Sequence, residues 1–126
     1  MTVERYEQAK HYADFARWYI ARISGAMGPE LLPKVGFAVP GVAMGFLYQT
    51  DSKVALIEAL VANPDVPAAE RTGAIDEVVL AIIAEARALG FKVLHGQTEF
   101  KVIVDRAKRL GFVHDPTVMS TVTYFL

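Results

Sequence analysis

The sequence predicts an α/β (α+β) fold, with a mixed, mostly antiparallel sheet, a near-parallel βαβ unit at its centre and helices on its flanks. Three observations predict it. Residues 53–61, KVALIEALV, form an almost unbroken apolar run, as expected of a strand covered on both faces. From Ala68 the period becomes helical, with Ile75, Val78, Val79, Ile82, Ala86 and Leu89 on one stripe at three- and four-residue steps. Gly90 then stops the helix, and Phe91, Lys92, Val93 and Leu94 open a second apolar strand. A strand, a crossover helix and a strand of this length make a βαβ unit whose strands run parallel or nearly so.

The remaining elements follow in order. Residues 4–23 read as a first helix, with Tyr6, Ala9, Ala13, Ala16, Ile20 and Ile23 facing inward and Gly25 as its stop. Phe15, Trp18 and Tyr19 widen its apolar face, either to pack on the sheet or to meet a partner. Residues 26–29 read as loop, and Leu31, Leu32 and Pro33 as one helical turn. Residues 34–39 and 42–49 form a hairpin around Pro40 and Gly41, which suit the two central positions of a type II turn. Thr50, Asp51 and Ser52 turn the chain into the 53–61 strand, and Asn63, Pro64, Asp65, Val66 and Pro67 end it.

Beyond the crossover helix, residues 92–98 read as strand and 99–110 as helix. Phe100, Ile103, Ala107 and Leu110 form the inward stripe of that helix, leaving Lys101, Asp105, Arg106, Lys108 and Arg109 solvated. Residues 111–114 read as a short strand, Asp115 and Pro116 as a turn, and 117–126 as a closing antiparallel strand, because they alternate β-branched and aromatic residues. The order is α, β, β, β, α, β, α, β, β.

Residues 1–126 suit a single domain. A net charge of −1 without basic or acidic blocks gives no footprint for a phosphate backbone, so nucleic acid is not an expected partner. Zero cysteines exclude disulfides and thiolate metal sites and accord with a reducing cytosol. His11, His95 and His114 lack metal-ligand spacing. Glu4, Arg5, Glu7, Lys10, His11, Asp14 and Arg17 rule a signal peptide out of the first twenty residues, and no apolar run is long enough for a membrane helix. A cytoplasmic protein is expected.

Certain residues and their order carry a resemblance. The apolar strand ends in Asn63 and Pro64 before the long helix; Ala88, Leu89, Gly90, Phe91 and Lys92 lead into the next strand; Arg109, Leu110, Gly111 and Phe112 close the last helix. Over residues 35–126 the chain resembles the GNAT superfamily of acyl-CoA-dependent N-acetyltransferases, as a short and motif-degenerate member. It looks trimmed at its front, where the family begins with a strand before the first helix.

The resemblance implies acetyl transfer from acetyl-CoA to an amine of a small molecule or a protein. Coenzyme A would enter where the strands at 53–61 and 92–98 splay apart, with backbone amides of Leu60, Val61 and Ala62 on the thioester carbonyl. Glu58 stands where the family often has a catalytic base; a carboxylate in apolar surroundings suits taking a proton from an ammonium. The alternative for Glu58 is an ion pair or an exposed strand edge. The family's pyrophosphate loop, Q/R-x-x-G-x-G/A, is matched by neither register of Ala68, Ala69, Glu70, Arg71, Thr72, Gly73, Ala74 and Ile75. Either the helix runs straight through Arg71 and Gly73, or Arg71 pairs a phosphate beside exposed amides of Thr72, Gly73 and Ala74. The family's general-acid Tyr falls on Ala107 and its frequent Asn on Phe100. Tyr124 falls either near the same cleft or, in the usual role of such a residue, in packing.

Two functions follow from this pattern. One is an N-acetyltransferase using acetyl-CoA. The other is a catalytically inactive protein of this fold, of the phage or accessory type, that binds and modulates a host protein through an exposed apolar patch around Trp18, Tyr19 or Phe125. The closing strand could also pair with its twin in a homodimer.

Overall fold

The computed structural model describes residues 2–22, 27–98, 100–117 and 119–126. Its elements are β1 (Glu4–Arg5), α1 (Gln8–Arg22), a 3₁₀ turn (Pro29–Leu31), β2 (Gly36–Val39), β3 (Ala43–Tyr48), β4 (Val54–Ala62), α2 (Ala68–Ala88), β5 (Val93–His95) and α3 (Lys101–Arg109). The sheet runs β1-β2-β3-β4-β5 in space, antiparallel throughout except for the parallel β4–β5 pair across α2. The mixed, mostly antiparallel sheet and its parallel βαβ unit are those the sequence predicts, with the unit at the β5 edge of the sheet rather than at its centre.

α1 covers one face of the sheet and α2 the other, because the strands alternate two apolar sets. Met44 and Phe46 join Phe15, Trp18, Ala38 and Val61 on the α1 face. Ala43 and Leu47 join Phe37, Ala55, Val78 and Ile82 on the α2 face. Gly45 lets α2 approach: a Cβ there would lie 2.5 Å from Leu60 Cδ1 and 3.0 Å from Val78 Cγ1. Pro40 and Gly41 make the expected tight turn, with Gly41 at φ 76° and the Val42 N–H donating to the Val39 carbonyl at 2.9 Å. Asn63 ends β4 by donating through Nδ2 to the Gly41 carbonyl and accepting from the Asp65 N–H.

The ends of the chain differ from expectation. A strand does precede the first helix, contrary to expectation: Glu4 and Arg5 pair with Ala38 and Phe37, and α1 starts at Gln8. The joint is held by His11, which is 3% exposed. Its Nδ1 accepts the Glu7 N–H at 2.8 Å, which leaves Nε2 to donate to Glu4. The expected helix stop at Gly25, the stripe position Ile23, the loop position Ala26 and the helix start at Glu99 lie outside the described residues.

At the other end, no strand forms at 111–114 or in the described residues of 117–126. Phe112 packs on the core, but Val113, Val122, Tyr124 and Phe125 are exposed. Trp18 is buried, so no patch surrounds it. Among the described residues no helix is long and apolar enough to cross a membrane.

Candidate active site

The site begins with an irregularity in β4. Glu58 pairs with Phe46 and Val61 with Met44, so three steps along β4 oppose two along β3. The extra residue is absorbed at Ala59, whose φ of 55° lies in the left-handed region that an L side chain adopts at a cost of about 1–2 kcal/mol. The bulge resets the alternation: Ala59 packs toward α1, and Leu60 toward α2.

β5 pairs with β4 only from Val54 to Leu56, opposite Val93 to His95. Gly96 still lies against Ile57, but beyond it β4 has no neighbouring strand on that side among the described residues. A wide cleft opens there between β4 and α3, lined by Glu58, Ala59 and Leu60 on one side and by Gln97, Phe100, Ile103 and Ala107 on the other. A strand that loses its partner presents unpaired backbone groups, which suit a polar ligand.

Glu58 reaches this cleft but is exposed. The apolar enclosure that its neighbours in sequence suggested is absent: Glu58 keeps its register opposite Phe46 but is exposed. Tyr48, paired with Leu56 one step along the same face, is half-buried; burial first, then Glu58 and Tyr19, raise its hydroxyl above the usual tyrosine range.

A smaller pocket of about 360 Å³ lies at the start of α2, lined by Ala62, Pro64, Arg71, Thr72, Ile75 and, from α3, Ile103 and Arg106. Arg71 Nη1 donates to the Val66 carbonyl at 2.6 Å and the Pro64 carbonyl at 3.3 Å, holding the turn against the helix. Arg106 is not solvated as its charge suggested; its side chain is 12% exposed and its Nε lies 3.6 Å from Asp76, which also takes a bond from Arg109 at 2.9 Å. The signal was present, since Arg106 stands three residues after Ile103 on the inward stripe.

α2 runs uninterrupted from Ala68, and the Arg71 N–H bonds the Pro67 carbonyl. Of the two alternatives for this stretch, the continuous helix is the one formed. Arg71 and Thr72 reach the pocket, Gly73 is half-buried, and Ala74 is buried against the sheet. Glu70 is exposed and outside the pocket lining, so its carboxylate does not face a ligand there. Leu60 lines the cleft and Ala62 the pocket, with Val61 buried between them on the α1 face. The structure thus joins Glu58, the end of β4, Arg71 and Thr72 along one path. It leaves Tyr124 out, 86% exposed, and finds His95 exposed in the cleft lining.

No family model matches the chain, and no curated protein matches it in sequence. Solved structures do. Rv2747 from Mycobacterium tuberculosis, solved in complex with CoA, superposes with a TM-score of 0.76 at 15% identity, over 96% of this chain and 76% of that one. The aminoglycoside acetyltransferase meta-AAC0020 from an uncultured soil metagenomic sample, in complex with sisomicin, gives 0.70 at 13% identity, over 99% and 96%. Glucosamine-6-phosphate N-acetyltransferase from Arabidopsis thaliana gives 0.69 at 12% identity, over 96% and 97%. The chain has the fold of the GNAT acetyltransferases.

Proposed function

We propose that this protein is an acyl-CoA-dependent N-acyltransferase that acetylates an amine from acetyl-CoA. One observation carries the reading: the cleft at the β4 bulge and the two-arginine pocket at the start of α2 are joined by the last residues of β4. A ligand with an acyl thioester at one end and phosphates at the other fits that path. Arg71, Arg106, the Thr72 hydroxyl and the positive end of α2 suit phosphates in place of a glycine-rich loop. The free side of β4 from Leu60 to Ala62 offers backbone amides to a carbonyl. When bound, acyl-CoA supplies the activated acyl group. Glu58 takes the proton from the attacking ammonium, directly or through water, and its exposure keeps it accessible for that role. Ala107 and Phe100 bring no acid to the leaving sulfur, so its protonation falls to solvent or to a side chain at the cleft mouth.

Thermal unfolding with acetyl-CoA tests this. Ligand at about 100 times its Kd stabilises the fold by about 2.7 kcal/mol, a shift of several degrees in a domain of this size. Arg71→Ala and Arg106→Ala should each weaken binding about tenfold or more, through loss of charge-assisted bonds of about 1.5–3 kcal/mol. Glu58→Gln should bind normally and acetylate about 10²–10⁴ times more slowly. No shift at millimolar acetyl-CoA would sink the reading. It would favour the non-catalytic alternative, for which the apolar Ala107 and Phe100 already speak.

A further inference from the structure

α3 borders both parts of the candidate site, yet none of its residues is buried. Val102, Ile103 and Arg106 face the pocket, while Ile103, Arg106 and Ala107 face the cleft. Leu110 and Phe112, beyond its C-terminal end, pack on the core. The helix itself meets α2 through charge: Asp76 Oδ1 accepts a hydrogen bond from Arg109 at 2.9 Å and lies 3.6 Å from Arg106 Nε. Exposure falls along this series, with side chains 53% exposed at Arg109, 21% at Asp76 and 12% at Arg106. Arg106 lines the pocket, whereas Asp76 and Arg109 do not. The carboxylate therefore stands behind the arginine, and a second arginine stands behind the carboxylate.

We infer that Asp76 is a positioning residue: it holds Arg106 at the pocket wall and so sets the affinity for the donor's phosphates without touching them. This rests on the reading of the pocket as the phosphate end of the donor site, and deepens it. A guanidinium held through Nε keeps a fixed plane, and a fixed planar fork suits two oxygens of one phosphate. A carboxylate partner also offsets the cost of keeping Arg106 largely out of water. Asp76 by itself would repel an anion in the pocket. Arg109 on its outer side offsets that charge, so the pocket keeps the field of Arg71 and Arg106. Asp76 is not part of the cleft lining, so the thiol arm of the donor is indifferent to it.

The test uses calorimetry on the full chain with three probes: CoA, inorganic pyrophosphate, and pantetheine, which keeps the thiol arm and lacks the phosphates. Asp76→Asn, which preserves shape and removes charge, should weaken CoA and pyrophosphate about tenfold. It should leave pantetheine within about threefold. Arg109→Ala, a change at the surface, should weaken both phosphorylated probes about threefold, and it carries the test if Asp76→Asn does not fold. In an Arg106→Ala background, Asp76→Asn should alter CoA affinity by less than about twofold, because it acts through that arginine. Unchanged or tighter CoA binding by the variant overturns the inference, since the carboxylate would then be idle or compete for Arg106. So does an equal loss for pantetheine, which would mean that α3 moves as a whole, and so do additive losses in the double variant. Any of these with CoA still bound leaves the transferase reading intact. Pyrophosphate binding that depends on Asp76, without any CoA binding, supports the pocket and removes the transferase. Binding of neither CoA nor pyrophosphate overturns both.

Discussion

The β3 strand and the C-terminal segment carry the same kind of sequence and meet opposite fates. AMGFLY in β3 and MSTVTYFL at the end both mix aromatic, branched and small residues. In β3, Met44, Phe46 and Leu47 are completely buried, while Val122, Tyr124 and Phe125 at the end are about nine-tenths exposed. The difference is supply of partners. β3 has a strand on each side and a helix on each face. The last segment follows α3 past Phe112 and, among the described residues, pairs with no strand. A strand-like pattern states what a segment tolerates; pairing decides what it becomes.

The largest expected effect breaks this comparison directly. Phe46→Ala should cost about 3–5 kcal/mol, through lost burial and a cavity between α1 and the sheet. Phe125→Ala, and even removal of residues 117–126, should change stability by no more than about 0.5 kcal/mol. Urea unfolding of all three decides it; a loss of several kcal/mol on removing the tail would show that it pairs in solution.

A middle-sized effect sharpens the comparison within β4. Ala59→Gly relieves a positive φ and should leave stability unchanged or slightly raised, whereas Ala55→Gly, in regular and buried strand, should cost about 1 kcal/mol or more. Equal costs at the two positions would mean that the bulge stores no strain.

The smallest effect concerns the front, which is tied where the tail is not. Lys10 and then His11 bond the Glu4 carboxylate and hold it below its ordinary value of 4.5. A depressed folded value contributes stability above the ordinary one, and that contribution disappears as the pH falls through the folded value. Below about pH 4.5 the protein should therefore lose stability more steeply than Glu4→Gln. Parallel curves for the two would remove Glu4 from the account.

Much of the centre was legible from residues alone. Periods of two and of three to four residues located β2 to β4, α2 and α3, and Pro40 with Gly41 marked their turn. Glu58 stood out as the one charge inside the apolar run that Lys53 opens. The bulge at Ala59 did not, because an extra residue in a strand has no signature until the facing strand sets the register. Arg106 was misjudged for a related reason: its charge suggested solvent, while its position on the inward stripe and the neighbouring Asp76 draw it in. β1 was hidden because a two-residue strand leaves no period to read, and Glu4 and Arg5 continue the polar pattern of the helix after them.

By itself, then, the sequence determined the two-faced sheet, the crossover helix, the absence of a glycine-rich phosphate loop and the candidate base. Those rest on local patterns, where each side chain's partition between water and core is set by its own chemistry and spacing. Only the tertiary structure decided that β4 bulges at Ala59, that Arg71 and Arg106 from different helices meet in one pocket, and that the last segment stays unpaired. Each of these depends on a second segment far away in the chain, and a single stretch of residues cannot specify which partner reaches it.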